Sequence, residues 1–267
     1  MTRQSRRRPI RLGLILLLLG ASAEHARAEA PPLPRIEESV LESTGQTPEV
    51  STVEFRKLLE DGSVVVLDAR PPEEYAISHV PGALNAPAGR AVPASQYVAD
   101  VDAVARMVPD RARTVVLYCS GPFCKRSKRL AVELTGRGYT RVVRYQLGIP
   151  VWRALGGVTQ VERSAIGPLL RQDRTAVLVD ARPVGERDRQ MTDARLIPAD
   201  EVESAKDDGR LPMTDHNTRI LVVGSNGPQA RTTAEHIARN AFHNVSFYGG
   251  KVSELTELFG SGPGGAR

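Results

Sequence analysis

The feature that most constrains this chain is an internal repeat. SVVVLDARPPEEYAISHVPGALNAP (Ser63–Pro87) aligns with TAVLVDARPVGERDRQMTDARLIPAD (Thr175–Asp200). In each, a β-branched run ends in Asp-Ala-Arg-Pro, a glutamate stands four residues beyond the arginine, and a short apolar segment leads to a proline. The likeness continues downstream. TVVLYCSGPFCKRSKRLAVEL (Thr114–Leu134) parallels RILVVGSNGPQARTTAEHIA (Arg219–Ala238), and GYTRVVRYQ (Gly138–Gln146) parallels AFHNVSFYG (Ala241–Gly249). Two copies at the period of a whole domain mean tandem domains, not a solenoid of short units.

Within each copy, strand and helix signals alternate. Val64–Asp68 is a continuous apolar run of the kind a strand shows when both its faces are covered. Thr114–Tyr118 and Arg141–Tyr145 are further β-branched runs, and the spacing predicts helices over Tyr97–Met107 and Ser127–Thr135. Such alternation predicts an α/β fold: two tandem domains, each an open, mainly parallel sheet with helices on both faces. In these sheets ligands sit where strand C-termini meet helix N-termini, which points to Val115–Ser127.

Composition narrows the function. With 267 residues, 41% hydrophobic and 25% charged, the chain is long enough for two globular domains. Its two cysteines cannot build a disulfide framework or a four-thiolate zinc site. The five histidines (His25, His79, His216, His236, His243) lack metal-ligand spacing, and no phosphate loop or dinucleotide motif is present, so neither a metal nor a cofactor is expected. Residues 1–28 hold six arginines against Glu24, which accounts for the whole formal charge of +5. The rest is neutral, which removes the main argument for nucleic-acid binding.

That basic start also assigns a compartment. Arg6 to Arg8 and Arg11 precede the apolar run Leu12–Leu19, followed by two A-x-A sites, Ala21–Ala23 and Ala26–Ala28. This is the order of a cleavable export signal, with the cut expected after Ala28. The apolar run is well short of the ~20 residues a spanning helix needs, so no stable membrane anchor is expected. SRRRPIR resembles a twin-arginine signal with Pro9 departing from it, so the export route stays open. The expected organisation is a signal over 1–28, a linker over 29–48, a first domain over 49–161, a second over 162–260 and a tail over 261–267. The product is expected in the periplasm or outside the cell, where thiols meet oxidants and a thiol-redox partner is expected.

VVLYCSGPFCKRS (Val115–Ser127) reads as strand, Gly-Pro loop and helix opening, with Cys119 just past the strand. Loop amides converging on one point, the helix dipole, and Lys125 and Arg126 all favour a thiolate and would hold an oxyanion. Cys119 is therefore a candidate nucleophile, with Ser120, Gly121, Phe123, Lys125 and Arg126 as the candidate substrate-binding residues.

LDARPPEEYAISHVPGALNAP resembles the signature of the rhodanese superfamily, and YCSGPFCKRS stands where that family carries its active cysteine. GIPVWRALGG (Gly148–Gly157) resembles the family's glycine-containing segment with a downstream tryptophan. The resemblance covers Gln46–Val161, and more weakly Ser164–Leu258. It implies that Cys119 attacks a small sulfur donor such as thiosulfate, forms a persulfide, and passes the sulfur to a thiol or cyanide acceptor. The loop departs from the commoner form: five residues separate Cys119 from Lys125, which leaves room for a larger anion. The second copy has Gly224 in place of Cys119 and resembles the family's inactive partner domains.

Other readings stand beside this one. Cys119 and Cys124 can pair as a structural or redox-sensing disulfide in a non-catalytic binding module, Cys124 can act as a resolving thiol, or it can be inert. Phosphatase or arsenate-reductase chemistry is disfavoured because Lys125 stands where those relatives carry an arginine, and lysine cannot grip a phosphoryl group bidentately. Asp68, Arg70 and Glu74 are expected to be structural, since Asp180, Arg182 and Glu186 repeat them in the copy without cysteine. His79 is expected to be a turn or packing residue, Tyr118 core, and Trp152 a wall near the cysteine loop.

Overall fold

Runs that are apolar at every position need cover on both faces, and the computed structural model provides it with two parallel sheets. It describes residues 47–88, 93, 96–186, 191 and 193–259; the expected signal, most of the linker and the tail lie outside these. No helix among the described residues is long and apolar enough to cross a membrane.

The first half runs α1 (Thr52–Glu60), β1 (Val65–Asp68), α2 (Pro72–Ile77), β2 (Leu84–Asn85), α3 (Val101–Met107), β3 (Val115–Tyr118), α4 (Lys125–Gly136), β4 (Val142–Tyr145), α5 (Gly148–Ala154). Its strands are all parallel in the order β2-β1-β3-β4. The second half runs β5 (Thr159–Val161), α6 (Arg163–Gln172), β6 (Val177–Asp180), β7 (Arg195–Leu196), α7 (Val202–Asp207), β8 (Ile220–Val223), α8 (Gly227–Ala238), β9 (Val245–Tyr248) and α9 (Thr256–Phe259). Its order is β5-β9-β8-β6-β7, again all parallel.

Each central strand buries alternate residues in opposite cores. Leu67, Val115 and Leu117 pack with Leu130 and Leu134 of α4 on one face. Val66, Val116 and Tyr118 pack with Phe55 of α1 and Trp152 of α5 on the other. Full burial stabilises by roughly 1.5–3 kcal/mol per large aliphatic side chain, so an apolar residue is favoured at every position. Helix α1 starts at a capping box: Ser51 Oγ accepts from the Glu54 amide at 3.2 Å, and Glu54 accepts from the Ser51 amide at 2.8 Å.

Four boundaries differ from the sequence expectation. Strand β5 was assigned to the first domain, yet it pairs with β9 at the edge of the second sheet. Thr47 and Pro48 fall in the expected linker, yet the chain is already structured there: the Val50 amide donates to the Arg144 carbonyl and the Arg144 amide to that of Pro48, both at 2.9 Å. This extended segment lies beside β4 as β5 lies beside β9. The offset that carries Asp68 to Asp180 also carries Thr47 to Thr159, so each repeat begins one strand earlier than its β-branched run suggested. Helix α3 begins at Val101 and not at Tyr97, because the Asp100 carboxylate caps it by accepting from the amides of Asp102 and Ala103. Helix α4 begins at Lys125, two residues before the expected Ser127.

The halves meet where His79 and Gln160 exchange backbone hydrogen bonds at 2.9 and 2.8 Å, and where the Glu162 amide donates to the Ala76 carbonyl at 2.8 Å. His79 is buried there as a packing residue, stacked on Tyr75 with ring centroids 3.9 Å apart. Burial pushes its pKa down to about 4.

Candidate active site

Strand β3 ends at Tyr118, a buried residue whose hydroxyl accepts from the Val80 amide at 3.0 Å. Cys119 follows directly and is itself buried. The loop from Ser120 to Phe123 leads to Cys124, the N-cap residue of the 12-residue helix α4. Cys119 and Cys124 are joined by a disulfide, with Cα atoms 6.2 Å apart. The structure thus holds the candidate nucleophile in its oxidised form.

Backbone geometry seats the loop. Gly121 has φ +140° and its carbonyl accepts from the Cys124 amide at 3.0 Å. The Ile149 amide donates to the Cys119 carbonyl at 3.1 Å. At Gly148 (φ +67°) a Cβ would stand 2.3 Å from the Cys119 carbonyl oxygen and 2.6 Å from the Gly121 nitrogen. Only glycine permits this approach of α5 to the cysteine loop. The amides of Ser120, Gly121 and Phe123 donate to no acceptor among the described residues, which leaves them as donors for an anion.

The side chains divide less evenly than expected. The Ser120 hydroxyl lies 4.0 Å from the Cys119 sulfur and donates to the Glu74 carboxylate at 3.2 Å. Glu74 therefore ties α2 to the cysteine loop, and it acts on Arg70 through its charge alone, with no hydrogen bond between them. Arg126 is turned aside: its Nε donates to the Tyr97 carbonyl at 3.1 Å. Lys125 is exposed at the first position of α4, and Phe123 is 94% exposed at the loop tip. Trp152 packs in the core with Tyr118, Leu147 and Ile149, the residues that flank the loop's seat. Its indole N–H donates to the Val158 carbonyl at 2.9 Å, its ring lies edge-on to Phe55, and the Arg56 guanidinium covers it at 4.8 Å. The residues of its segment that reach the loop are Gly148 and Ile149.

Asp68 and Arg70 form a buried pair. The Asp68 carboxylate accepts from the Arg70 amide at 2.9 Å, from Nε at 3.0 Å and from Nη2 at 2.6 Å. Arg70 also donates to the Ser78 carbonyl, so the pair anchors the turn after α2. Burial opposes the Arg70 charge, but the hydrogen bond and charge of Asp68 outweigh it and hold its pKa above the ordinary value. Asp180 and Arg182 repeat this geometry at 3.0 and 2.9 Å.

The second half has the same strand end with different contents. Gly224 follows β8, its carbonyl accepting from the Val252 amide at 2.9 Å as that of Cys119 accepts from Ile149. Ser225 donates to Glu186 at 2.7 Å, repeating the Ser120–Glu74 contact. Only Ser225 and Asn226 separate Gly224 from α8. The Gln229 carboxamide folds back into this short loop and accepts from the Ser225 amide at 2.8 Å. A Cβ on Gly224 would stand 2.8 Å from that same oxygen. Nothing in the sequence pattern marks Gln229 for this role; the shortened loop is the only signal.

Residues 51–155 match the family model described as the rhodanese-like domain. Among curated proteins, the chain is 30% identical over 118 residues to the HTH-type transcriptional regulator Rv0324 of Mycobacterium tuberculosis. That match covers 44% of this chain and 46% of the relative, so the chain spans about half the length of the curated relative it matches. Among solved structures it is similar to a thiosulfate sulfurtransferase from Pseudomonas aeruginosa (20% identity, 76% of this chain, 41% of that one, TM-score 0.35). It is also similar to the 3-mercaptopyruvate sulfotransferase SseA from Escherichia coli (17% identity, 76% and 98%, TM-score 0.35). A third similarity is to the BH2092 protein from Bacillus halodurans (22% identity, 43% and 77%, TM-score 0.36).

Proposed function

We propose that this chain, whose residues 51–155 match the rhodanese-like domain model, is an exported sulfurtransferase of the rhodanese superfamily that carries sulfane sulfur on Cys119. The observation that carries this reading is the placement of Cys119. It stands at the C-terminal end of a central parallel strand, ahead of a loop with unused amides and a 12-residue helix.

In the reduced protein, Cys119 Sγ attacks the outer sulfur of a thiosulfate-type donor. The S–S bond of the donor breaks and sulfite leaves with the bonding pair. The amides of Ser120, Gly121 and Phe123 and the N-terminus of α4 favour both the thiolate and the bound anion. A thiol or cyanide then takes the outer sulfur and returns Cys119 to the thiolate. Asp68 and Arg70 act at a distance by holding the turn after α2, and Glu74 by holding Ser120. The second domain takes no part in sulfur transfer. Export rests on the arginine-rich start and leucine run of residues 1–28.

The test is turnover of thiosulfate with cyanide by the fully reduced protein, read as thiocyanate. Cys119→Ser is expected to lower it by about 10³-fold or more. A variant that turns over normally would remove Cys119 from the chemistry.

One observation favours a second reading, a redox-sensing binding module: the disulfide engages both cysteines of the chain. The curated relative described as a transcriptional regulator is a protein in which such a sequence accompanies regulation. Full reduction without any sulfur uptake would favour it.

A further inference from the structure

We propose that Cys124 resolves the Cys119 persulfide within the loop, releasing hydrosulfide and leaving the Cys119–Cys124 disulfide, so that the domain reduces sulfane sulfur at the expense of a dithiol. This inference rests on the sulfurtransferase reading above.

Three observations converge on it. The two sulfurs are bonded across a loop whose ends are fixed by β3 and α4. Cys124 is the N-cap of a 12-residue helix, and its side chain makes no capping hydrogen bond. Ser, Thr, Asp or Asn normally occupies that position and accepts from the first-turn amides. A thiolate there faces the same orphan amides and the positive end of the helix dipole, which favour it as an attacking group. Finally, the two cysteines differ in access. Cys119 is 1% exposed, whereas Cys124 is only partly buried beside the exposed Phe123.

The step balances as follows. The Cys124 thiolate attacks Sγ of the Cys119 persulfide, and the bond between that sulfur and the outer one breaks. The outer sulfur leaves as hydrosulfide with the bonding pair and the persulfide proton. In this step Cys124 loses one electron and the outer sulfur gains one; counted from the two thiols and the donor's zero-valent sulfane sulfur, each cysteine has lost one and that sulfur has gained two. A dithiol then attacks the accessible Cys124 sulfur and expels the Cys119 thiolate. Its second thiol closes its own disulfide and frees Cys124. Over the cycle, thiosulfate and a dithiol yield sulfite, hydrosulfide, the oxidised dithiol and one proton. The disulfide in the structure is then the state between turnovers.

The experiment uses reduced protein freed of reductant and given thiosulfate alone, with hydrosulfide, free thiols and intact mass followed together. The wild type is expected to release one hydrosulfide per chain and lose both thiols. Cys124→Ser is expected to release none and to accumulate a cyanide-labile extra sulfur on Cys119. A wild type that keeps its extra sulfur and its Cys124 thiol would overturn the inference while leaving the sulfurtransferase reading intact. Absence of sulfur uptake in both proteins would overturn the two together.

Discussion

The two halves place the same scaffold around opposite loop contents. Both end a buried strand at the same point, both hold the next serine with a glutamate, and both bury an Asp–Arg pair two residues apart. In the first, the segment between strand and helix is long enough to carry two cysteines and leave amides unused. In the second it is short, and the Gln229 carboxamide accepts from the Ser225 amide. The scaffold therefore does not dictate chemistry. What differs between the halves is the loop between β3 and α4, and the charged pairs are architecture common to a half with cysteines and a half without.

The largest effect that tests this comparison is on the shared pairs. Asp68→Ala leaves the Arg70 guanidinium buried without its carboxylate, and Asp180→Ala removes the matching carboxylate from Arg182, so each is expected to cost about 3–5 kcal/mol. Urea midpoints measure both; a loss confined to Asp68→Ala would break the equivalence of the halves.

The next effect belongs to the first half alone. His79 has its pKa held near 4 by burial, below the ordinary 6.5, so the unfolded chain takes up the proton first. Stability is full above pH 6.5, falls by about 2–3 kcal/mol as the pH drops towards 4, and levels off below that. His79→Gln is expected to flatten this dependence in denaturation curves between pH 4 and 7. An unchanged slope would assign it to other groups.

Gly148→Ala and Gly227→Ala sharpen the comparison further. Each puts a Cβ against backbone, at 2.3 Å from the Cys119 oxygen and 2.2 Å from the Gly249 oxygen respectively. Each is expected to cost about 2 kcal/mol in thermal unfolding. Sulfur uptake on Cys119 is expected to fall only in Gly148→Ala, and an equal fall in both would tie the second loop to the chemistry. The smallest effect is that of Gln229→Ala, which frees the Ser225 amide at a cost of about 1 kcal/mol. No sulfur uptake by the second half is expected to follow, as mass mapping would show.

The repeat, the parallel sheets and the position of Cys119 were legible because buried parallel strands are written as continuous apolar runs and Cys119 directly follows one of them. Strand β5 was not legible as the start of the second sheet, because at three residues it carries little pattern of its own. Carrying the repeat offset upstream would have found it. Helix α3 was placed too early because apolar spacing over Tyr97–Asp100 says nothing of where the Asp100 side chain caps. Trp152 stands one helical turn beyond Gly148, and only the fold tells that Gly148 is the residue that meets the loop backbone. Gln229 and the Glu74–Ser120 contact join distant segments, and pattern alone does not join them.

The most direct test of the account is to incubate the reduced protein with Cys124→Ser in place, so that no thiol resolves the product, with thiosulfate labelled in its outer sulfur, and to map the label by peptide mass. The account predicts one labelled sulfur, on the peptide that contains Cys119, and none on any peptide of the second half. Label elsewhere, or no label on a folded and fully reduced chain, would contradict it.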